Sequence, residues 1–346
     1  MVAVNSIPTR LLLQPSRSSI ADGQKRLAEA QSEAATGRHS DVGLTLGARV
    51  GTDIKMRTHI AALERARSGA QEASLAADTV QDALATLSGL ADRFRSTLIG
   101  ARTSENGREL TVTLATSALD SVKDSMSLTI DGKYLFSGLA RDISPLKSYD
   151  NGPRQTLLGA FQAEFGFLPQ DPAASALTAG DIQNFIDDAF STFFSDTGWS
   201  STWSNASSET PKFRLHTGER IDLSTTANMP FAQKLTQAFA LMEVFGQSRI
   251  AATAFETVSN RALVLVSEGQ AAIGDEQARI GIGQAKLRES RSALDQTRMR
   301  VTSAVSALEN VDPYEVATRV NLLMSQLEGS YALTGRISRM NLLSYL

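Results

Sequence analysis

The sequence predicts a mostly α-helical protein. Its N- and C-terminal segments are expected to form a long antiparallel coiled-coil rod, with an inserted β-rich (α+β) central domain. Apolar residues near both ends recur at heptad spacing, which is typical of helices that pair along a narrow seam. Between residues 141 and 230 this period is lost, and prolines, both tryptophans and short β-leaning runs take its place. Aromatic residues make up only 6% of the 346 residues, which favours paired helices over a compact enzyme core.

The composition excludes several classes of protein. There is no cysteine, so disulfides, thiolate zinc sites, iron–sulfur clusters and a cysteine nucleophile are ruled out. The net charge of -3 argues against nucleic-acid binding, which needs a basic surface. No apolar stretch approaches the roughly 18 residues of a membrane span, and the run at 11–13 is shorter than a signal-peptide core of roughly 7–15 residues. We therefore expect no nucleic-acid partner, no membrane partner and no cleaved signal peptide.

The first predicted helix begins near Ser16, after a segment made irregular by two prolines. Three apolar residues then recur at seven-residue intervals: Ile20, Leu27 and Ala34. Gly37 is the expected terminator, because glycine readily adopts the left-handed conformation at a helix end. Three further glycines between residues 39 and 51 predict a loop or a loosely helical bend.

The next segments predict the rod. Two successive seams with spacings of three and four residues are typical of a helical hairpin: Val80, Leu84, Leu87, Ala91, Phe94 and Leu98, then Val112, Ala115, Leu119, Val122 and Met126. The strongest signal follows the insertion, at strict seven-residue intervals: Val266, Ile273, Ile280, Leu287, Leu294, Val301 and Leu308. A straight helix drifts by about 20° per heptad, so this register predicts a left-handed supercoil.

The last helix is predicted to begin at Asp312-Pro313, with Asp312 as its N-cap. The whole pattern divides the chain into three parts. Residues 1–45 with 306–346 are expected to form a terminal coiled-coil assembly domain, and 46–140 with 231–305 a helical rod core. Residues 141–230 are expected to form an inserted α+β or mostly β domain.

The seams of the two terminal helices are only about two residues per heptad wide, enough for one partner helix and too little for a globular core. Such surface is an interface in an assembly. The alternative is that the two terminal helices simply cover each other. We predict the following assembly contacts: Ile20, Leu27, Ala34, Val316, Val320, Leu323, Leu327, Tyr331, Leu342, Leu343 and Leu346.

No pattern predicts a catalytic, cofactor or metal site. The histidines His39, His59 and His216 are far apart in sequence and are expected on loops or solvated faces. Gly281-Ile282-Gly283 lies inside the heptad run, so we expect small residues that let a neighbouring helix approach, not a dinucleotide loop. Trp199 and Trp203 could form a carbohydrate-binding platform, although core packing is their usual role.

Three motifs resemble the bacterial flagellin family. Ala35-Thr36-Gly37-Arg38 resembles the turn that follows the family's first helix. The segment 131–138, DGKYLFSG, is similar to the segment at which hook–filament junction members leave their helical core. Residues 312–346 resemble the family's terminal polymerisation helix. The resemblance covers roughly residues 16–140 and 230–346, and the insertion carries none of it.

The resemblance implies a non-enzymatic subunit without cofactors that assembles with itself into a ring or helical oligomer. Its expected partners are the preceding hook-associated protein on the hook side, flagellin on the filament side, and an export chaperone before secretion. The expected location is the extracellular flagellum, reached through the flagellar type III apparatus without a cleaved signal. The alternatives are the filament subunit itself, or a helical adhesin or signalling module whose insertion binds a ligand.

Overall fold

The computed structural model describes residues 9–101, 107–150 and 152–343, with side chains described between residues 18 and 336 of these ranges. The chain forms two compact units. The first contains the residues up to Arg65 and those from Asp295 onward, and the second is Ala66–Leu294. The second unit includes the insertion together with rod segments, and the predicted three-part division stays a prediction.

Helices dominate the described chain. The elements in order are α1 (Thr9–Thr36), α2 (Val42–Leu46), a 3-10 turn (Gly47–Arg49), α3 (Val50–Ala101), α4 (Gly107–Met126), β1 (Thr129–Ile130), β2 (Lys133–Tyr134), α5 (Pro153–Phe165), a 3-10 turn (Pro172–Ala176), α6 (Ala179–Phe185), a π-helical turn (Ile186–Phe190), α7 (Asp196–Thr202), β3 (Lys212–Arg214), β4 (Arg220–Asp222), α8 (Pro230–Gly246), α9 (Ala252–Glu309) and α10 (Pro313–Leu343).

In the first unit, α1 and α10 pack side by side in antiparallel orientation, with Gly23 of α1 against Leu327 of α10. Gly37 ends α1 as predicted, with φ of 71° and its N–H bonded to the Glu33 carbonyl at 2.8 Å. The helix starts at Thr9, earlier than the predicted Ser16, so Pro15 lies within it. An interior proline removes one backbone hydrogen bond and its ring crowds the carbonyl four residues earlier, which is why the sequence favoured a helix start after Pro15. After α1 the sequence predicted either a loop or a loosely helical bend. The structure has the helical form, with α2 and a 3-10 turn.

In the second unit, α3 and α9 run antiparallel as the heptad seams predict. Side-chain hydrogen bonds join them in inverse order, with Asp78 accepting from Gln284 at 2.6 Å and Asp92 from Gln270 at 2.8 Å. Five members of the α9 seam are buried here: Val266, Ile273, Ile280, Leu287 and Leu294. In the first unit α9 buries Val305 and Glu309 instead, whereas Val301 and Leu308 are half-buried. The buried face therefore moves off the seven-residue register, in the direction expected of a helix with 3.6 residues per turn.

The insertion is of the mixed α+β type. It contains three short helices, a π turn and a single antiparallel hairpin in which Phe213 pairs with Ile221. Its tryptophans are core residues: Trp199 is 1% exposed and donates Nε1–H to the Ala227 carbonyl at 3.0 Å. The carbohydrate-platform interpretation is therefore wrong. Phe161 meets Phe245 of α8 at 5.6 Å between ring centroids, so the insertion and α8 share one aromatic core.

One glycine of the α9 pair, Gly283, lets a strand approach, not the neighbouring helix that the sequence predicted. A Cβ on Gly283 would lie 2.8 Å from the carbonyl oxygen of Asp222, at the end of β4. A Cβ on Gly281 would meet nothing within 4 Å. Beside Gly283, Lys286 pairs with Glu219 at 2.6 Å and Arg279 with Asp222 at 3.3 Å. The β3–β4 hairpin is thus held against α9 by one close backbone approach and two ion pairs.

Gly283→Ala should lower the free energy of unfolding by about 1–3 kcal/mol, because the added methyl group forces the β4 backbone away from α9. The matched control is Gly281→Ala, which should raise it by up to about 1 kcal/mol, since alanine favours a helix and the space is open. Urea denaturation of both variants measures the difference. Equal stabilities would show that the hairpin does not rest on Gly283.

Candidate assembly surface

The seam between α1 and α10 brings together most of the predicted assembly residues. On α10, Val316 is fully buried and Leu327 is 7% exposed. Four more of the predicted residues face inward and are half-buried: Ile20 and Leu27 on α1, and Val320 and Leu323 on α10. Their spacing of three and four residues is that of a coiled-coil seam.

Within the part of the seam whose side chains the structure describes, large apolar side chains are few. Farther along α10, the inward positions are occupied by Ser330 and Thr334, which are polar and half-buried. On α1 the intervening inward positions hold Gly23 and Ala30, which contribute little apolar area. Mutual packing of these two helices therefore supplies a weak hydrophobic contribution.

Two predicted residues do not lie in the seam. Ala34 is exposed, and the inward positions of this turn are Ala30 and Glu33. Tyr331 is 50% exposed, and its hydroxyl accepts a hydrogen bond from Gln24 Nε2 at 2.6 Å. Leu346 and the side chains of Leu342 and Leu343 lie outside the described residues. The role of the whole predicted set in assembly stays a prediction.

Outside the seam, α10 carries exposed large apolar side chains on both of its flanks, which together we call the outer surface. It comprises Tyr314, Leu322, Met324, Tyr331 and Leu333. Leu322 and Leu333 are eleven residues apart, which places them within about 20° of each other around the helix. Of this set, only Tyr331 was predicted from the sequence. The sequence feature that could have identified the others is a second set of large apolar residues on α10, outside the heptad seam.

A buried carboxylate lies where α1 meets α10. Glu33 is 6% exposed, and its Oε2 accepts from Arg319 of α10 at 2.9 Å. Its Oε1 accepts from the backbone N–H of Ser40 at 3.0 Å, with His39 Nδ1 at 3.7 Å. His39 lies in the loop between α1 and α2, as expected, and there belongs to a polar cluster. Glu33 was not predicted from the sequence. The feature that could have identified it is a charged residue at a helix position that faces the partner helix.

A second buried carboxylate, Glu309, ends α9. It accepts from Arg57 Nε of α3 at 2.8 Å and lies 3.6 Å from Arg38. Hydrogen bonding to Glu309, more than its charge, raises the pKa of Arg57, so this guanidinium stays charged. A backbone hydrogen bond joins the same segments, from the Val311 N–H to the Gly37 carbonyl at 3.1 Å. We call residues 33–41 with 309–319 the joint.

Within the described residues, no group of three or more His, Cys, Asp or Glu side chains could hold a metal ion. In the same part of the chain, no helix is both long and apolar enough to cross a membrane.

Solved structures show the same fold. A flagellar hook-associated protein from Vibrio parahaemolyticus matches with a TM-score of 0.51 and 13% identity, over 74% of this chain and 95% of that one. FlgL from Bacillus cereus matches with a TM-score of 0.50 and 9% identity, over 73% of this chain and 99% of that one. At such identities the likeness concerns the fold alone. No curated protein matches the sequence.

Family models cover both ends of the chain. The bacterial flagellin N-terminal helical region matches residues 7–141, and the bacterial flagellin C-terminal helical region matches residues 263–346. Together they take in more than half of the sequence and leave out most of the insertion. The chain belongs to the bacterial flagellin family and is a structural subunit of the flagellum.

Proposed function

We propose that this protein is the hook–filament junction subunit, hook-associated protein 3, and that its role is structural without enzymatic activity. The observation that carries the assembly part of the proposal is the α1–α10 pair. Its inner seam is thin, while its outer surface exposes large apolar residues such as Leu322 and Leu333. A helix that is apolar on its outward side gains stability by packing against further helices.

The energetics support association through this surface. Full burial of one leucine side chain contributes about 1.5–3 kcal/mol. Burying a few of the outer-surface residues against a neighbour therefore contributes several kcal/mol, reduced by the entropy lost when helices become ordered. Each subunit in a ring or helical oligomer has more than one neighbour, so a modest contribution per contact is sufficient.

Two observations favour the junction over the filament. The segment 131–138 resembles that of junction members, and in the structure it leads from α4 into the insertion. Gly138 has φ of 60°, and a Cβ there would lie 2.2 Å from the Ser207 carbonyl oxygen. The motif glycine is therefore needed for the approach of the insertion backbone. The second observation is the fold shared with structures named for a hook-associated protein and for FlgL.

The proposed partners follow from this role. The subunit would contact itself, the preceding hook-associated protein and flagellin. Before export through the flagellar type III apparatus, it would be held by a chaperone. The filament subunit is the competing assignment within the family.

Removing residues 316–346 should leave a soluble, folded, monomeric protein that cannot join hook or filament. The second unit has its own core, so its melting transition should persist in calorimetry. Capture of the truncated chain by purified hooks, compared with the full chain, measures the loss. A truncated chain that still assembled would contradict the role given to α10.

Leu322→Ser and Leu333→Ser should each raise the protein concentration needed for half-maximal capture by hooks about tenfold or more, since each removes apolar area from the interface. Melting of the soluble chain should not change, because both leucines are exposed in it. The matched control is Leu75→Ser in the second unit, at a leucine of similar exposure. An equal loss in all three variants would argue against the outer surface.

A strain that lacks this protein should build hooks and release flagellin into the medium. Immunoblotting of the culture supernatant measures the released flagellin, and immunogold labelling locates the protein on intact flagella. Labelling along the whole filament would assign the protein as the filament subunit instead.

A further inference from the structure

The apolar seam between α1 and α10 does not by itself fix how the two helices are aligned. The inward residues of α10 fall into two heptad series, Val316, Leu323 and Ser330, and Val320, Leu327 and Thr334. Sliding one helix by seven residues, about 10 Å, replaces each inward residue by another small or aliphatic one. Such a slip costs little apolar contact, so the apolar pattern leaves neighbouring registers close in free energy.

Glu33 is the inward residue that has no such equivalent. Its carboxylate is buried and meets Arg319 at 2.9 Å, whereas the exposed acid Glu29 on the same helix pairs with Lys25 at 3.8 Å. In the antiparallel pair, a slip by one heptad would bring Asp312 or Gln326 to the position of Arg319. Neither can neutralise a buried carboxylate, and Asp312 would add a second negative charge.

We propose that the Glu33–Arg319 pair specifies the axial register of α1 against α10. A buried ion pair is weak as a source of stability, but stranding one of its charges is costly, and specifying register is the best-attested use of such pairs. Glu33 also accepts from the Ser40 N–H, so it ties the register of the seam to the joint. The role of the ion pair in setting the register does not require the proposed function. Only its consequence rests on that function, because the register would decide where the outer surface lies along the assembly.

The chain contains no cysteine, so engineered disulfides can report the register. A Cβ on Gly23 would lie 3.4 Å from Leu327 Cγ, so Gly23→Cys with Leu327→Cys reports the observed register. Gly23→Cys with Val320→Cys, or with Thr334→Cys, reports a slip by one heptad in either direction. The three pairs are oxidised in the full-length soluble chain, and the crosslinked peptides are quantified by mass spectrometry.

With Glu33 present, the 23–327 disulfide should exceed either slipped disulfide about a hundredfold or more. In Glu33→Leu the slipped disulfides should rise to within about tenfold of it, because no register is then penalised. Arg319→Leu should also remove the preference, since the carboxylate is unpaired in every register. Glu29→Leu is the matched control on the same helix and should keep the preference of the unmodified chain.

If Glu33→Leu still gave the 23–327 disulfide alone, the backbone pairing of Gly37 with Val311 would set the register and the proposal would be overturned. Absence of all three disulfides in the background with Glu33 would overturn it too, because the helices would not pair in the soluble chain. The assay requires no assembly, so it can fail while capture by hooks succeeds. Loss of capture with an intact register preference would instead contradict the proposed function.

Discussion

The small amount of apolar surface that the described residues of α1 and α10 share is the constraint that governs the first unit. Only Val316 and Leu327 among the described seam residues of α10 are well buried, and α1 places only Gly23 against Leu327. Two helices that cover each other this poorly gain little by pairing alone. In the proposed assembly, the exposed apolar residues of α10 would be covered by other subunits.

The second unit is stabilised in a different way. Its long helices bury a continuous heptad seam, and its insertion joins α8 through a cluster of aromatic rings that includes Phe161, Phe185 and Phe245. This core does not depend on the residues of the first unit. A subunit built this way can keep one folded part while its terminal helices exchange partners, which suits a protein that must enter an assembly after synthesis.

Polar residues supply the specificity that the thin seam lacks. Glu33 and Glu309 are buried carboxylates: Glu33 pairs with the guanidinium of Arg319, and Glu309 pairs with those of Arg57 in α3 and Arg38. Removing water from a carboxylate is costly unless its partner is in place, so such pairs reject alternative arrangements more than they add stability. The joint is held by the backbone hydrogen bond between Gly37 and Val311 and by the two carboxylates, and all three involve the same two short segments.

The sequence by itself determined the helical class, the end of α1 at Gly37, the position of the insertion and most of the inward seam, because heptad period and helix-terminating residues are local signals. It did not determine that Ala34 is exposed, since a residue at heptad spacing leaves the inward face when the helix keeps 3.6 residues per turn. It also did not determine that Trp199 is buried, that Gly283 admits β4, or that Glu33 meets Arg319. These depend on which segments come together, and only the tertiary structure decides that, because such contacts join residues that are not sequence neighbours, 28 positions apart for Trp199 and Ala227 and 286 for Glu33 and Arg319.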